Sequence, residues 1–257
     1  MIKRRTLPFV LAAVLAVGGI ARGEAVPSGI ARGIRAKFGL GTGFVSRTVR
    51  WDGDVSRVKT FTVGLASEFE FPFDLTASLF AGLGLTNYRG ALFEHLPVTL
   101  RVDAGGTASF VAGGEVRKKI RTFGNFETGA IATFVTSFGT NKTWPIAGFA
   151  VDGEARGTPR WTGFEIGPTV SYLGYRNFVP FASIRASWFG GRFKMAEKLG
   201  ELESAQTRTF KQKGLVKICL GASGAISPRL SLRGEATIVP ASGRIDLGAA
   251  VRLLYAY

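Results

Sequence analysis

The stretch Ala249-Ala250-Val251-Arg252-Leu253-Leu254-Tyr255-Ala256-Tyr257 decides the fold. In an extended backbone successive side chains point to opposite faces, so Ala249, Val251, Leu253, Tyr255 and Tyr257 share one apolar face that ends on an aromatic. A helix would scatter the same residues around its axis. If this strand belongs to a sheet, the two-residue period must recur upstream.

It recurs in about ten segments. Residues 34–44 set Ile34, Ala36, Phe38, Leu40 and Phe44 against Arg35, Lys37 and three glycines. Residues 61–71 set Phe61, Val63, Leu65, Phe69 and Phe71 against Glu68 and Glu70. Further on, Leu79, Leu83 and Leu85 oppose Ser78 and Gly82; Phe110 and Val116 oppose Glu115, Arg117 and Lys119; Phe134 and Phe138 oppose Glu127 and Thr133. Phe164, Ile166, Val170 and Tyr172 oppose Glu165; Ile184 and Trp188 oppose Arg185. In the last three segments Val216, Ile218 and Leu220 oppose Lys211, Lys213, Lys217 and Cys219, Leu232 and Ile238 oppose Arg233 and Glu235, and Arg244, Asp246 and Arg252 lie opposite the apolar face of the terminal stretch.

The connections alternate in length. Tight turns fall at Pro72-Phe73-Asp74, Phe123-Gly124, Gly174-Tyr175-Arg176-Asn177 and Ser227-Pro228, whose residue types suit such conformations. Longer connections occupy 46–57, 88–106, 140–160 and 193–208. Met195, Leu199 and Leu202 recur at helical spacing in the last of these, which predicts a short amphipathic helix there.

Residues 1–25 have the three parts of a cleaved secretory signal: Lys3, Arg4 and Arg5, then the apolar run Leu7 to Ile20, then the small-x-small site Gly23-Glu24-Ala25, with Gly19-Ile20-Ala21 as a second site. That run of about 14 residues is shorter than the ~20 that span a bilayer. No later run of 18 apolar residues occurs, so any membrane crossing must use strands. Residues 26–257 suit one all-β domain. The single cysteine, Cys219, rules out an internal disulfide. Net charge is +15, and without residues 1–25 the chain keeps 29 basic and 17 acidic residues, or +12. In an exported chain that excess favours lipopolysaccharide phosphate or small anionic solutes over nucleic acid as partner.

Signal, alternation, turn lengths and terminal aromatic together resemble the small outer-membrane β-barrels of Gram-negative-type bacteria, in the size range of the OmpW-like and omptin-like groups. The resemblance covers nearly all of residues 26–257 and implies an all-β, antiparallel, up-and-down transmembrane barrel of about ten strands, with eight or twelve as alternatives. It also implies outer-membrane localisation, contact with outer-membrane lipid and lipopolysaccharide, and recognition by the barrel-assembly machinery through the C-terminal strand. A soluble β-barrel or sandwich also alternates, but would turn its apolar face to a core.

In a membrane barrel the opposing set faces the lumen, because a base facing hydrocarbon costs about 2 to 4 kcal/mol at the midplane. Arg185, Lys217, Arg233, Arg252, Glu115, Glu165 and Glu235 are the candidate lumen residues, either a plug of paired charges or the lining of a narrow, anion-preferring channel. Trp161, Trp188, Tyr172, Tyr255 and Tyr257 are the candidate interface girdles, with Trp51 and Trp144 beside them at the outer ends. No catalytic set is expected. Asp52-Gly53-Asp54 is a common turn sequence without the matching Asp-x-His of omptin-type proteases, and His95 beside Glu94 has no serine in a nucleophile context. Asp52 with Asp54, or Asp152 with Glu154, supplies too few ligands for calcium, and His95 with Cys219 too few for zinc, so neither metal nor cofactor is expected. The functional expectation is a narrow passive pore or a structural surface protein; the alternatives are a surface adhesin or ligand-binding barrel and a lipid-modifying enzyme.

Overall fold

The computed structural model describes residues 33–51, 54–93, 100–146, 153–199, 201–241 and 243–257. Residues 1–25 with the cleavage site, Asp52, Gly53, Glu94, His95 and Asp152 lie outside the described residues, as does the side chain of Trp144. The strands are β1 (Arg35–Trp51), β2 (Asp54–Phe71), β3 (Leu75–Phe93), β4 (Leu100–Phe123), β5 (Phe126–Gly139), β6 (Lys142–Ile146), β7 (Gly153–Tyr172), β8 (Phe178–Leu199), β9 (Leu202–Gln212), β10 (Val216–Ala225), β11 (Leu230–Ala241) and β12 (Arg244–Ala256).

Two pairs of these are single wall strands with a break. β7 pairs with β5 from Phe126↔Tyr172 to Phe138↔Arg160 and then with β6 from Lys142↔Gly157 to Ile146↔Gly153. β8 likewise pairs with β10 below and β9 above. The wall therefore has ten strands, closed by antiparallel pairing of β1 with β12 from Lys37↔Ala256 to Val45↔Gly248. The apolar-faced stretch from Ala249 onward thus lies in the strand that shuts the ring.

Alternation sets the two faces. Leu65 is 70% exposed and Leu83 69%, and Phe61, Ile184, Leu220 and Leu247 also stand outward with at least half their surface free. A soluble barrel would hide such residues, so the apolar belt identifies lipid as the outer solvent. Inward positions carry glycine, serine, threonine and charge: Ser78, Ser109, Glu115, Ser183, Arg185 and Thr237 are all buried. Gly64 and Gly82 are directly opposed on that face, and a Cβ on either would run into the partner backbone, so the wall can bend there. Pro72-Phe73-Asp74 turns with Phe73 and Asp74 left-handed (φ 66° and 58°), and the Lys119 amide donates to the Asp74 carbonyl at 3.0 Å.

Beyond the belt the strands continue and their pattern inverts. The connections expected at 46–57, 88–106, 140–160 and 193–208 are mostly strand, extending β1 to β4 and β6 to β9. There Val49, Val58, Tyr88, Phe193 and Phe210 point inward while Arg50, Arg192, Lys194 and Lys211 point outward. Past the lipid the outer solvent is water, so the apolar face turns to the interior; polar outward residues made these segments read as loops. The helix expected around Met195, Leu199 and Leu202 is the β8–β9 hairpin instead, closed at Leu199↔Leu202, because Phe193 and Met195 continue a two-residue inward period.

Two inward assignments also change. Lys211 faces out because the wall strand breaks at 213–215, between β9 and β10, and resets which residues point inward. Arg244 is exposed at the tip of the short β11–β12 hairpin. That hairpin is so short that β9 and β1 pair directly above it, Val49↔Gln212 to Trp51↔Phe210. The sheet thus drops from ten strands to eight at this level. Asp246 fixes the junction, accepting the Thr48 hydroxyl at 2.8 Å and the Thr48 amide at 2.5 Å.

Leu65→Arg, on the outer face of β2, should destabilise the barrel by about 2 to 4 kcal/mol. Urea unfolding of the protein in lipid vesicles measures this, and an unchanged midpoint would place Leu65 outside the hydrocarbon.

Candidate functional site: the lumen

The lumen is built in two layers. The ionic layer gathers all seven candidate lumen residues from six strands. Lys217 on β10 and Arg185 on β8 are direct cross-strand neighbours, an arrangement of like charges that is unfavourable by itself. Two carboxylates from other strands resolve it. Glu165 on β7 accepts from Lys217 at 2.8 Å and lies 3.5 Å from Arg185; Glu235 on β11 takes a two-point contact from Arg185, at 2.8 and 3.3 Å, and lies 3.8 Å from Lys217. Arg47 reaches Glu165 at 3.8 Å, and Ser183 Oγ accepts from Arg185 Nε at 2.9 Å.

The second half of this layer repeats the scheme. Arg233 on β11 directly opposes Arg252 on β12, and Glu115 projects from β4 on the far wall to lie 3.9 and 3.6 Å from them. Arg117 joins Glu115 (3.1 Å) to Glu68 (2.6 Å), and Lys37 joins Glu68 (3.2 Å) to Glu70 (2.5 Å). Arg233 also stacks over the Phe181 ring at 4.1 Å. Arg185 is 2% exposed, so these ions are out of bulk water and depend on each other for solvation.

Above the ions lies an aromatic layer. Trp51, Tyr88, Trp161, Phe189, Phe193 and Phe210 pack with Val49, Val58, Val111 and Met195 into one buried cluster drawn from β1, β2, β3, β4, β7, β8 and β9. Its rings interlock: Trp51–Phe210 at 4.6 Å, Trp161–Phe189 at 5.2 Å and Tyr88–Phe193 at 5.5 Å between centroids. Such offset and edge contacts are the favoured aromatic geometries. Between the layers a cavity of about 190 Å³ has Glu115, Glu165, Arg185 and Lys217 on one side and Val111 and Trp161 on the other. It is large enough for several ordered waters, with Trp161 Nε1 and the Ser78 and Thr133 hydroxyls as free hydrogen-bonding groups.

The aromatic layer corrects one expected girdle residue. Trp161 is 3% exposed and internal, because the register that turns Phe164 and Ile166 outward turns Trp161 inward; Trp51 is internal too. Trp188 does stand outward, stacked on Phe164 at 5.7 Å. At the short-turn end Tyr255 contacts Tyr257 (5.3 Å), Tyr257 contacts Phe38 (6.1 Å) and Tyr172 contacts Phe126 (5.1 Å). Sequence reasoning missed Arg47, Tyr88, Phe193 and Phe210 as lumen residues; the signal of the three aromatics was the continued two-residue period among charged neighbours. Among the described residues no group of three or more His, Cys, Asp or Glu side chains is placed to hold a metal ion.

No protein-family model matches the sequence, and comparison with curated proteins finds no relative. Solved structures of outer-membrane proteins do superpose on the chain. The outer membrane protease OmpT from Escherichia coli superposes with a TM-score of 0.53 at 12% identity, over 88% of this chain and 97% of that one. The translocator domain of the autotransporter NalP from Neisseria meningitidis gives 0.46 at 12% identity, over 98% and 99% of the two chains. Ail, the attachment invasion locus protein of Yersinia pestis, gives 0.36 at 8% identity, over 87% and 97%. The chain has the fold of the small outer-membrane β-barrels, and at these identities the likeness is one of fold.

Glu165→Gln leaves Lys217, Arg47 and part of Arg185 without their counter-charge and should cost about 3 to 5 kcal/mol, as expected for breaking a buried pair. Glu203→Gln, which removes an exposed pair with Lys198 at the β8–β9 tip, should cost less than about 1 kcal/mol. Equal losses in urea unfolding would mean that the luminal ions are solvated as surface ions are.

Proposed function

We propose that the protein is an integral outer-membrane barrel with a closed lumen, acting as a structural component of the cell surface rather than as a passive pore. The filled lumen carries this reading. A conducting path needs polar groups or water along its length. Here the aromatic layer crosses the section just above the ionic layer, and the bases that would give anion preference, Arg185, Lys217 and Arg233, each lie within 4 Å of a glutamate.

The narrowing of the wall supports the same reading. An eight-stranded barrel has an interior just wide enough for its own side chains, whereas ten strands leave more room. The aromatic cluster begins where β9 and β1 meet over the β11–β12 hairpin and the sheet falls to eight strands. In this reading the short turns lie in the periplasm and the long hairpins outside, the luminal charges are structural rather than catalytic, and β12 is the strand offered to the assembly machinery.

Refolded protein whose gel mobility shifts on heating should give no discrete conductance steps in a planar bilayer. Discrete steps with anion preference would overturn the closed reading and return Arg185, Lys217 and Arg233 to the role of selectivity residues.

A further inference from the structure

Inside the barrel, both opposed pairs of bases, Lys217↔Arg185 and Arg233↔Arg252, are neutralised by glutamates from other strands. Opposed pairs of bases also lie on the outer face. Arg160 on β7 faces Arg192 on β8, and Lys211 on β9 faces Arg50 on β1. Lys194 stands one outward position above Arg192. Like charges held directly across a ladder destabilise it, and no carboxylate among the described residues pairs with any of these five. Nearer the tips outward charges are paired within the chain, Arg156 with Glu154 at 3.3 Å and Lys198 with Glu203 at 3.0 Å.

The band's height on the wall says what would neutralise it. Two outward positions below Arg160 is Phe164, stacked on the directly opposed Trp188. The Arg160 guanidinium itself lies 4.4 Å from the Phe138 ring centroid. The unpaired bases therefore begin where the aromatic girdle ends, at the level of lipid headgroups. A guanidinium pairs with phosphate through two parallel hydrogen bonds, and cross-strand neighbours about 5 Å apart can share one phosphate group.

We propose that Arg160, Arg192, Lys194, Lys211 and Arg50 form a binding site for the phosphates of an outer-leaflet glycolipid, the doubly phosphorylated acylated sugar that anchors lipopolysaccharide. Its acyl chains lie along Phe164 and Trp188, and its phosphates complete the charge balance that the chain leaves open on this face. The inference rests on the outer-membrane reading above and specifies the lipid and the side of the barrel that holds it.

The test uses the full mature chain in dodecyl maltoside micelles, titrated with lipid A, with monophosphoryl lipid A and with phosphatidylethanolamine, and reads the temperature at which the folded gel band is lost. Lipid A should raise that temperature more than monophosphoryl lipid A does, and phosphatidylethanolamine should not raise it. R160Q/R192Q/K211Q should weaken lipid A binding by roughly a hundredfold, at about fivefold for each base near a charged membrane surface. K198Q, which removes a paired outward base on the same hairpin, should bind as the parent does. If the triple variant lacks a folded band, R192Q and K211Q singly carry the test, each with a several-fold loss. Equal stabilisation by all three lipids, or unchanged binding in the variants, overturns the site while leaving the barrel reading intact. Failure of the parent chain to give a heat-modifiable band in micelles would instead count against the outer-membrane reading itself.

Discussion

Everything in this molecule follows from one constraint: no backbone N–H or C=O group may face hydrocarbon without a partner. A sheet meets it only by having no edge. The pairing of β1 with β12 over nine residue pairs, from Lys37↔Ala256 to Val45↔Gly248, removes the edge. It joins strands separated by most of the chain, so it is also the contact whose formation costs the most loop entropy. With the ring closed each residue is assigned to lipid or lumen, and the luminal layers are consequences of that assignment.

Charge enters the lumen because it cannot face the lipid, and once inside it must be balanced. The solution is geometric. Bases sit beside bases on neighbouring strands, and the acids that hold them come from strands further round or across the lumen, as Glu115 does for Arg233 and Arg252. Each such bridge works as a cross-brace, since a change in the tilt or stagger of one wall would part the ions of the other. Buried pairs are weak sources of net stability, but breaking one is costly. Their contribution here is to hold one barrel geometry against others.

The lipid-embedded part of this arrangement was legible in the sequence. Alternation found the wall strands, the turns at 72–74, 123–124, 174–177 and 227–228, and the inward position of the luminal charges of the ionic layer except Arg47, which lies in the stretch that reads as a long connection. Legibility ended where the outer solvent changed. Phe193 and Met195 keep the two-residue period, but beside Arg192 and Lys194 they look like polar loop sequence, and with Leu199 and Leu202 they imitate a helix. Lys211 was misplaced for a different reason: the break at 213–215 resets the parity, and its one marker, Gly214, is a glycine among the many that these strands carry. Which glutamate serves which base was beyond reach, because closure and stagger, rather than sequence distance, decide what faces what across the lumen.

In the closed-lumen reading, the same change of solvent accounts for the place of the block. Within the membrane a ten-strand wall leaves an interior that side chains alone do not fill, and ions with room for water occupy it. The β11–β12 hairpin ends early, and the strands on either side of it, β9 and β1, close over the gap with Asp246 holding Thr48 at the junction. Two strands fewer make a narrower tube, and a narrower tube surrounded by water can be stabilised as a soluble protein is, by burying aromatic side chains at its centre. The aromatic layer is therefore the hydrophobic core of the part of the wall that stands above the lipid, and the block proposed for the lumen follows from how that extension is stabilised. A pore through this architecture would have to forgo the core that holds its outer half together.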